Sequence, residues 1–332
     1  MDLIKFIKRY WIILTMILIV LIILVIHYVN KNVIDFFLYE KMNSTKHIIT
    51  EYIKGKDLDL FIGNKFTKSK TFRIPFIIYR TWKNEVLNKQ FKEAWDITAE
   101  NNPGFQQKLY TDLDVNNFIN DFHYPGLKRA YNCINPKYGA ARADLFRYAI
   151  LYKNGGFYMD IKTFATCSIK DKLGNNDAFL LSKWQGYSYT GDKEIFKFNN
   201  LIFASKIGEW EQYWLACEKE HPMMKAILDK CIKNILYPKT NTLINSTMRK
   251  LFKGKPIVLA TTGPTMMTYV IDNYLINNPN FKDFTITKPS FDNCIQYANS
   301  KYLMEMWTYH YKEYNNVNAL HYSQINEPLL IC

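Results

Sequence analysis

Several common chemistries are missing from this 332-residue sequence. None of its six cysteines forms a C-x-x-C pair, which excludes zinc ribbons and thioredoxin-type redox motifs. No G-x-S-x-G elbow is present, so a hydrolase triad has no nucleophile turn to stand on. Neither a G-x-G-x-x-G nor a P-loop pattern occurs, and Gly263-Pro264 matches neither. Histidine is scarce, at 6 residues, and His123 and His310 have no metal-ligand spacing. His221-Pro222 reads as a helix N-terminus, with proline in the first turn. There is no internal repeat, no basic zipper and no RNP-type aromatic run. The formal net charge of +13 comes from scattered lysines, so it describes a solvated surface facing anionic membranes or phosphorylated ligands, with no nucleic-acid partner.

What is present suits a large packed core: 48% hydrophobic residues, with 24 Tyr and 22 Phe. Six cysteines allow up to three disulfides in an oxidising compartment, or buried free thiols with a loose one at the C-terminus, and the compartment decides between them.

One long apolar run opens the chain. Trp11 to Ile26 reads WIILTMILIVLIILVI, with Thr15 as its only polar side chain. Extended to residues 10–29 it makes about 20 residues, roughly 30 Å of helix, enough for a bilayer core. Lys5, Lys8 and Arg9 precede it, while Lys31 and Asp35 after it cancel, so the positive-inside bias places the N-terminus in the cytoplasm and the rest across the membrane. The expected layout is a cytoplasmic tail (1–9), an anchor (10–29), a polar stem (30–72) and a catalytic domain (73–332), which makes a single-pass type II protein with a lumenal, Golgi- or ER-like domain. Asn43-Ser44-Thr45 and Asn245-Ser246-Thr247 are glycosylation acceptor patterns consistent with that side.

Beyond the stem, elements alternate. Phe76 to Trp82 reads as a buried strand, Glu85 to Asn101 as a helix by its apolar spacing, and Phe105 to Tyr110 as a second strand. That order predicts an α/β domain with a mostly parallel sheet. Ala140 to Asn154 is the clearest helix, stopped by Gly155, and Gly156 to Ile161 reads as a strand ending at an acid. Further on, strands are expected at Ala178–Leu181, Leu201–Ala204, Pro256–Ala260 and Ala319–Ser323, and helices at Trp210–Glu218, Pro222–Leu236 and Thr265–Leu275.

The chemistry concentrates in Arg142-x-Asp144-x-x-Arg147-Tyr148-x-x-Leu151-Tyr152-x-x-Gly155-Gly156-x-Tyr158-x-Asp160. Asp144 and Arg147 are helical neighbours at i, i+3. The Gly-Gly turn brings Asp160 to the carboxyl end of the next strand, the edge where open α/β sheets bind ligands. On charge spacing alone, a salt-bridged helix and a surface turn explain the pattern as well.

This block resembles the core of glycosyltransferase family 32, the D-x-D sugar-binding-region enzymes that include initiating α-1,6-mannosyltransferases. Ile74-Pro75-Phe76-Ile77-Ile78-Tyr79-Arg80-Thr81-Trp82 resembles the family's opening, Thr262-Gly263-Pro264 its later turn, and His321 its late histidine. The resemblance implies a GT-A type nucleotide-sugar-binding fold with a mostly parallel central sheet, preceded here by one transmembrane helix. It implies retaining transfer of a hexose, with mannose favoured, from GDP-mannose or a UDP-sugar to a glycan, glycoprotein or glycolipid acceptor. By the same resemblance, Arg142, Asp144 and Arg147 contact the donor, Tyr79 and Trp82 flank the nucleotide base, and Asp160 is the first acid of D-x-D. Asn200 is a sugar contact or a turn before a strand.

The second acid of D-x-D is replaced by Lys162. Three arrangements follow: a divalent cation (Mn²⁺ or Mg²⁺) held by Asp160 with His321; Lys162 itself neutralising the diphosphate; or a non-catalytic relative that only binds. Asp160 and Lys162 are the catalytic candidates in the first two.

Overall fold

A computed structural model describes residues 71–182, 209–240, 254–287, 291, 294–296 and 325–332. The expected anchor and most of the stem lie outside these residues, as do both glycosylation triplets, Asn200, His321 and the strands expected at Leu201–Ala204 and Ala319–Ser323. Among the described residues no helix is long and apolar enough to cross a membrane.

The first strand, β1 (Ile77–Thr81), pairs in parallel with β2 (Gln106–Tyr110) on one side and β3 (Gly156–Met159) on the other. Beyond β3 come β6 (Trp214–Cys217), β5 (Phe179–Leu181) and β7 (Thr285–Ile286), giving the order β2-β1-β3-β6-β5-β7. Strand β6 runs antiparallel to both its neighbours, and the other pairs in this sheet are parallel. The result is the mostly parallel α/β sheet expected. A small second sheet pairs β4 (Phe164–Ala165) with β8 (Ile295–Gln296) antiparallel.

Strand alternation sends side chains to two buried layers. Ile78, Phe157, Met159, Trp214 and Ala216 enter one, and Tyr79, Tyr158, Leu215 and Cys217 the other. The second layer is covered by α4 (Gly139–Asn154), which packs against α6 (Pro222–Leu236). Nine consecutive-turn positions of α4, including Asp144 and Arg147, are buried. It is therefore a core helix, apolar on most sides, carrying two charges inward. The remaining helices are α1 (Lys89–Asn101), α2 (Asp112–Asp121), α3 (Leu127–Cys133), α5 (Ile169–Lys172), α7 (Lys255–Thr261) and α8 (Pro264–Asn277).

The α4–β3 turn needs two glycines. Gly155 has φ 68° and Gly156 φ 101°, and a Cβ on Gly156 would sit 2.8 Å from the Ile77 carbonyl of β1. Only glycine combines the left-handed backbone with that close approach.

Two expected elements are corrected. The helix expected at Trp210–Glu218 is instead strand β6, because its apolar residues are buried on both sheet faces and a short run of that kind has no distinguishing period. The strand expected at Pro256–Ala260 is helix α7, with Pro256 in its first turn, where the missing N–H costs nothing. Helix α1 begins at Lys89, later than expected, because the Asn88 side chain caps it by accepting from the Phe91 N–H.

The cysteines divide. Cys133–Cys332 and Cys167–Cys294 are disulfides, while Cys217 and Cys231 are buried thiols. The C-terminal cysteine is thus tied to α3, and the second disulfide staples β4 to β8.

Candidate active site

Helix α4 and the tip of β3 bring three charges together. Arg147 Nη2 lies 3.2 Å from Asp144 Oδ1 and 3.0 Å from Asp160 Oδ1. The i, i+3 spacing supplies the first contact, and the Gly155-Gly156 turn returns the chain so that β3 supplies the second. Arg147 Nη1 donates to the Gln212 carbonyl at 2.7 Å, just before β6, and the guanidinium lies 4.6 Å from the centre of the Tyr158 ring. Tyr158 in turn shares a 2.9 Å hydrogen bond with Thr81 at the end of β1.

The two carboxylates differ in access. The Asp144 side chain is 7% exposed and that of Asp160 25%. Asp144 is sealed from behind: the Thr262 hydroxyl donates to its Oδ2 at 2.8 Å, and the Thr262 carbonyl accepts from Tyr148 at 2.8 Å. The Gln212 amide also reaches the Tyr148 hydroxyl. Burial pushes the Asp144 carboxyl up to about 6, against the opposing pull of Arg147 and the Thr262 hydrogen bond. Burial alone would lower the Arg147 guanidinium, but Asp160, Tyr158 and Asp144 more than reverse it, so Arg147 is held firmly charged. Asp160 is accordingly the more accessible acid of the pair, with Asp144 and Arg147 buried behind it.

Other expected site residues separate from this group. Arg142, two residues before Asp144, points away from it, as i, i+2 spacing on a helix requires. Its Nη2 donates to the Ile134 carbonyl at 3.1 Å and its guanidinium stacks on Tyr131. Tyr79 is 1% exposed, its ring packed in the core near Tyr110, so it is a core residue of the interior strand β1. Trp82 is half-buried, just past the end of β1, with its ring edge-on to Phe91 and the Lys83 ammonium over it. Lys162 is half-buried in the turn that follows β3.

The described residues do not compose a divalent-cation site. Mg²⁺ and Mn²⁺ favour several oxygen ligands, yet among the described residues no three His, Cys, Asp or Glu side chains converge. Asp160 has one oxygen committed to Arg147, and an ammonium stands two residues on. His321, the other expected ligand, lies outside the described residues.

Sequence reading missed Arg80, Gln212 and the supporting role of Thr262. For Arg80 a signal existed, since an arginine inside the apolar run of a central strand must be buried with its partners. Nothing in the sequence marked Gln212, whose main-chain carbonyl takes Arg147.

Residues 71–180 match the family model described as "Glycosyltransferase sugar-binding region containing DXD motif", in line with the resemblance read from the sequence. The matched segment runs from before β1 to β5 and contains Asp144, Arg147 and Asp160. Among curated relatives, the chain is similar to the initiation-specific alpha-1,6-mannosyltransferase of Candida albicans, at 25% identity over 64% of this chain and 55% of that protein. It is also similar to inositol phosphoceramide mannosyltransferase 3 of Schizosaccharomyces pombe, at 30% identity over 34% of this chain and 30% of that one. The chain spans about half the length of the curated relatives that it matches over the longest stretches. A solved structure, the PaToxG glycosyltransferase, aligns with a TM-score of 0.43 at 14% identity, covering 87% of this chain and 91% of that one.

Proposed function

We propose that this chain is a type II membrane glycosyltransferase of GT-A fold, transferring a hexose with retention from a nucleotide-sugar donor to a glycan or glycolipid acceptor. The observation that carries the reading is the Asp144–Arg147–Asp160 ion group at the carboxyl end of β3, inside the segment that matches the sugar-binding region. Mannose is the favoured sugar, because both curated relatives described above are named mannosyltransferases. The apolar span over residues 10–29 supports the anchor, and two disulfides support a non-cytoplasmic domain, since disulfides persist in oxidising compartments.

In the reaction the bond from the sugar's anomeric carbon to the diphosphate breaks and a bond to the acceptor oxygen forms. The acceptor's proton passes to the departing diphosphate, which leaves as the nucleoside diphosphate. The difficulty is negative charge growing on that leaving group, and a preorganised positive charge lowers its energy. A lysine carries the same net charge as an aspartate combined with a divalent cation. Lys162, two residues after Asp160, supplies that charge, and Asp160, held by Arg147, orients the donor's sugar. The test uses the full chain in detergent with GDP-mannose and UDP-hexoses, with and without EDTA. Turnover that survives EDTA and is lost in Lys162→Ala supports this assignment. Turnover that requires added Mn²⁺ instead assigns the charge to a cation on Asp160 and residues such as His321.

A second reading rests on the same Asp160-Ile161-Lys162 sequence: a relative that binds nucleotide sugars without transferring them. Thermal stabilisation by GDP-mannose with no turnover under any metal would favour it.

A further inference from the structure

Arg80 is fully buried, at 0% exposure, near the end of a central strand. A buried charge is costly unless its donors are satisfied, and here no carboxylate takes its hydrogen bonds. Its partners are instead main-chain and neutral side-chain oxygens, with the Met159 sulfur 3.9 Å from Nη2. Nη1 donates to the carbonyls of Asp160 at 3.1 Å and Thr163 at 2.5 Å, and the Ile161 carbonyl lies 3.5 Å away. Nη2 donates to the Thr98 hydroxyl at 3.0 Å, and Nε to the Gln107 side-chain oxygen at 3.2 Å.

The carbonyls gathered by Nη1 belong to a single turn. The Thr163 N–H donates to the Asp160 carbonyl at 2.8 Å, which closes a four-residue β-turn with Ile161 and Lys162 at its centre. Arg80 therefore grips from inside the turn that carries Asp160 and Lys162. It ties that turn to α1 through Thr98, and to β2 through Gln107. Both tethers are themselves fixed: Thr98 donates to the Ala94 carbonyl at 2.8 Å and accepts from the Ala165 N–H at 3.1 Å, and Gln107 donates to the Trp95 carbonyl at 3.0 Å. A fork of donors in one plane suits this task, and a lysine ammonium cannot reach all three directions.

We infer that Arg80 is the positioning residue of the donor site, setting the place of Asp160 and Lys162 by clamping the Asp160–Thr163 turn through its carbonyls. Its catalytic consequence rests on the glycosyl-transfer reading above. Its effect on the turn does not.

The experiment compares the full chain with Arg80→Lys and Arg80→Met by thermal melting, by hydrogen exchange of peptides spanning residues 160–166, and by donor turnover per folded molecule. Arg80→Lys is expected to fold, to speed exchange in that peptide with little change in peptides of α4, and to lower kcat about a hundredfold at unchanged acceptor KM, the scale expected when reacting groups shift by about an ångström. Arg80→Met is expected to fall further, so that the lysine variant is a partial rescue. If Arg80→Met does not fold, Arg80→Lys decides alone. Wild-type exchange at 160–166 together with wild-type kcat in folded Arg80→Lys would overturn the inference. If the unmodified chain turns over no donor, the function proposed above fails instead, and the exchange measurement alone decides whether Arg80 clamps the turn.

Discussion

Arg147 and Asp160 are thirteen residues apart in the chain, yet their side chains meet at 3.0 Å because α4 and β3 are folded back on each other at Gly155-Gly156. Arg147 also holds Asp144 one turn away. One cation thus serves a sealed carboxylate and a more exposed one, and it is itself anchored on the Gln212 carbonyl.

Asp144 should leave a mark on the pH dependence of stability. Its folded value, about 6, exceeds the ordinary 3.8, so the folded protein binds this proton more tightly than the unfolded chain. The stabilisation is fully present below about pH 4 and is lost as pH rises through 6, on the order of 3 kcal/mol across that window. Denaturant titrations of wild type and Asp144→Asn from pH 4 to 7 should show the wild type losing stability relative to the variant as pH rises. Parallel curves would mean that Asp144 titrates normally.

Gly156→Ala should cost roughly 2 kcal/mol or more, from a left-handed backbone and a Cβ pressed on the Ile77 carbonyl. Gly104→Ala, where a Cβ meets nothing within 4 Å, should change stability little. Urea midpoints of the two variants measure the contrast, and similar midpoints would contradict the tight turn.

Thiol counting tests the covalent frame. The denatured, unreduced chain should expose two thiols, Cys217 and Cys231, and the reduced chain all six cysteines. The native chain should react slowly, because both thiols are buried and burial raises them well above the ordinary thiol range. Six reactive thiols before reduction would show that neither disulfide forms.

The parts of the fold that were legible in the sequence are those with a strong period or a strong stop. Helix α4, ended by Gly155, and α6, with Pro222 in its first turn, matched their expected spans closely. Strand β6 and helix α7 did not, because short apolar runs buried all round look alike as strand or helix. The small helices α2 and α3 were not anticipated. The start of α2 carries a Thr111–Asp114 capping box, the local signal that marks it. For the candidate site, the meeting of the i, i+3 pair with the strand-end acid follows from spacing and chain reversal. The separate placement of Arg142 and Tyr79 does not, because motif membership does not say which way a side chain faces. Arg80 and Thr262 act through contacts eighty or more residues away in sequence, which only the folded chain discloses.

The most direct test of the account is turnover of GDP-mannose and UDP-hexoses by the full chain compared with Asp160→Asn, an isosteric change that removes the charge paired with Arg147. A fall of about a hundredfold or more in kcat, with the melting temperature within a few degrees of wild type, is the predicted result. Equal turnover by the two proteins would contradict it and remove the Arg147–Asp160 pair from the chemistry.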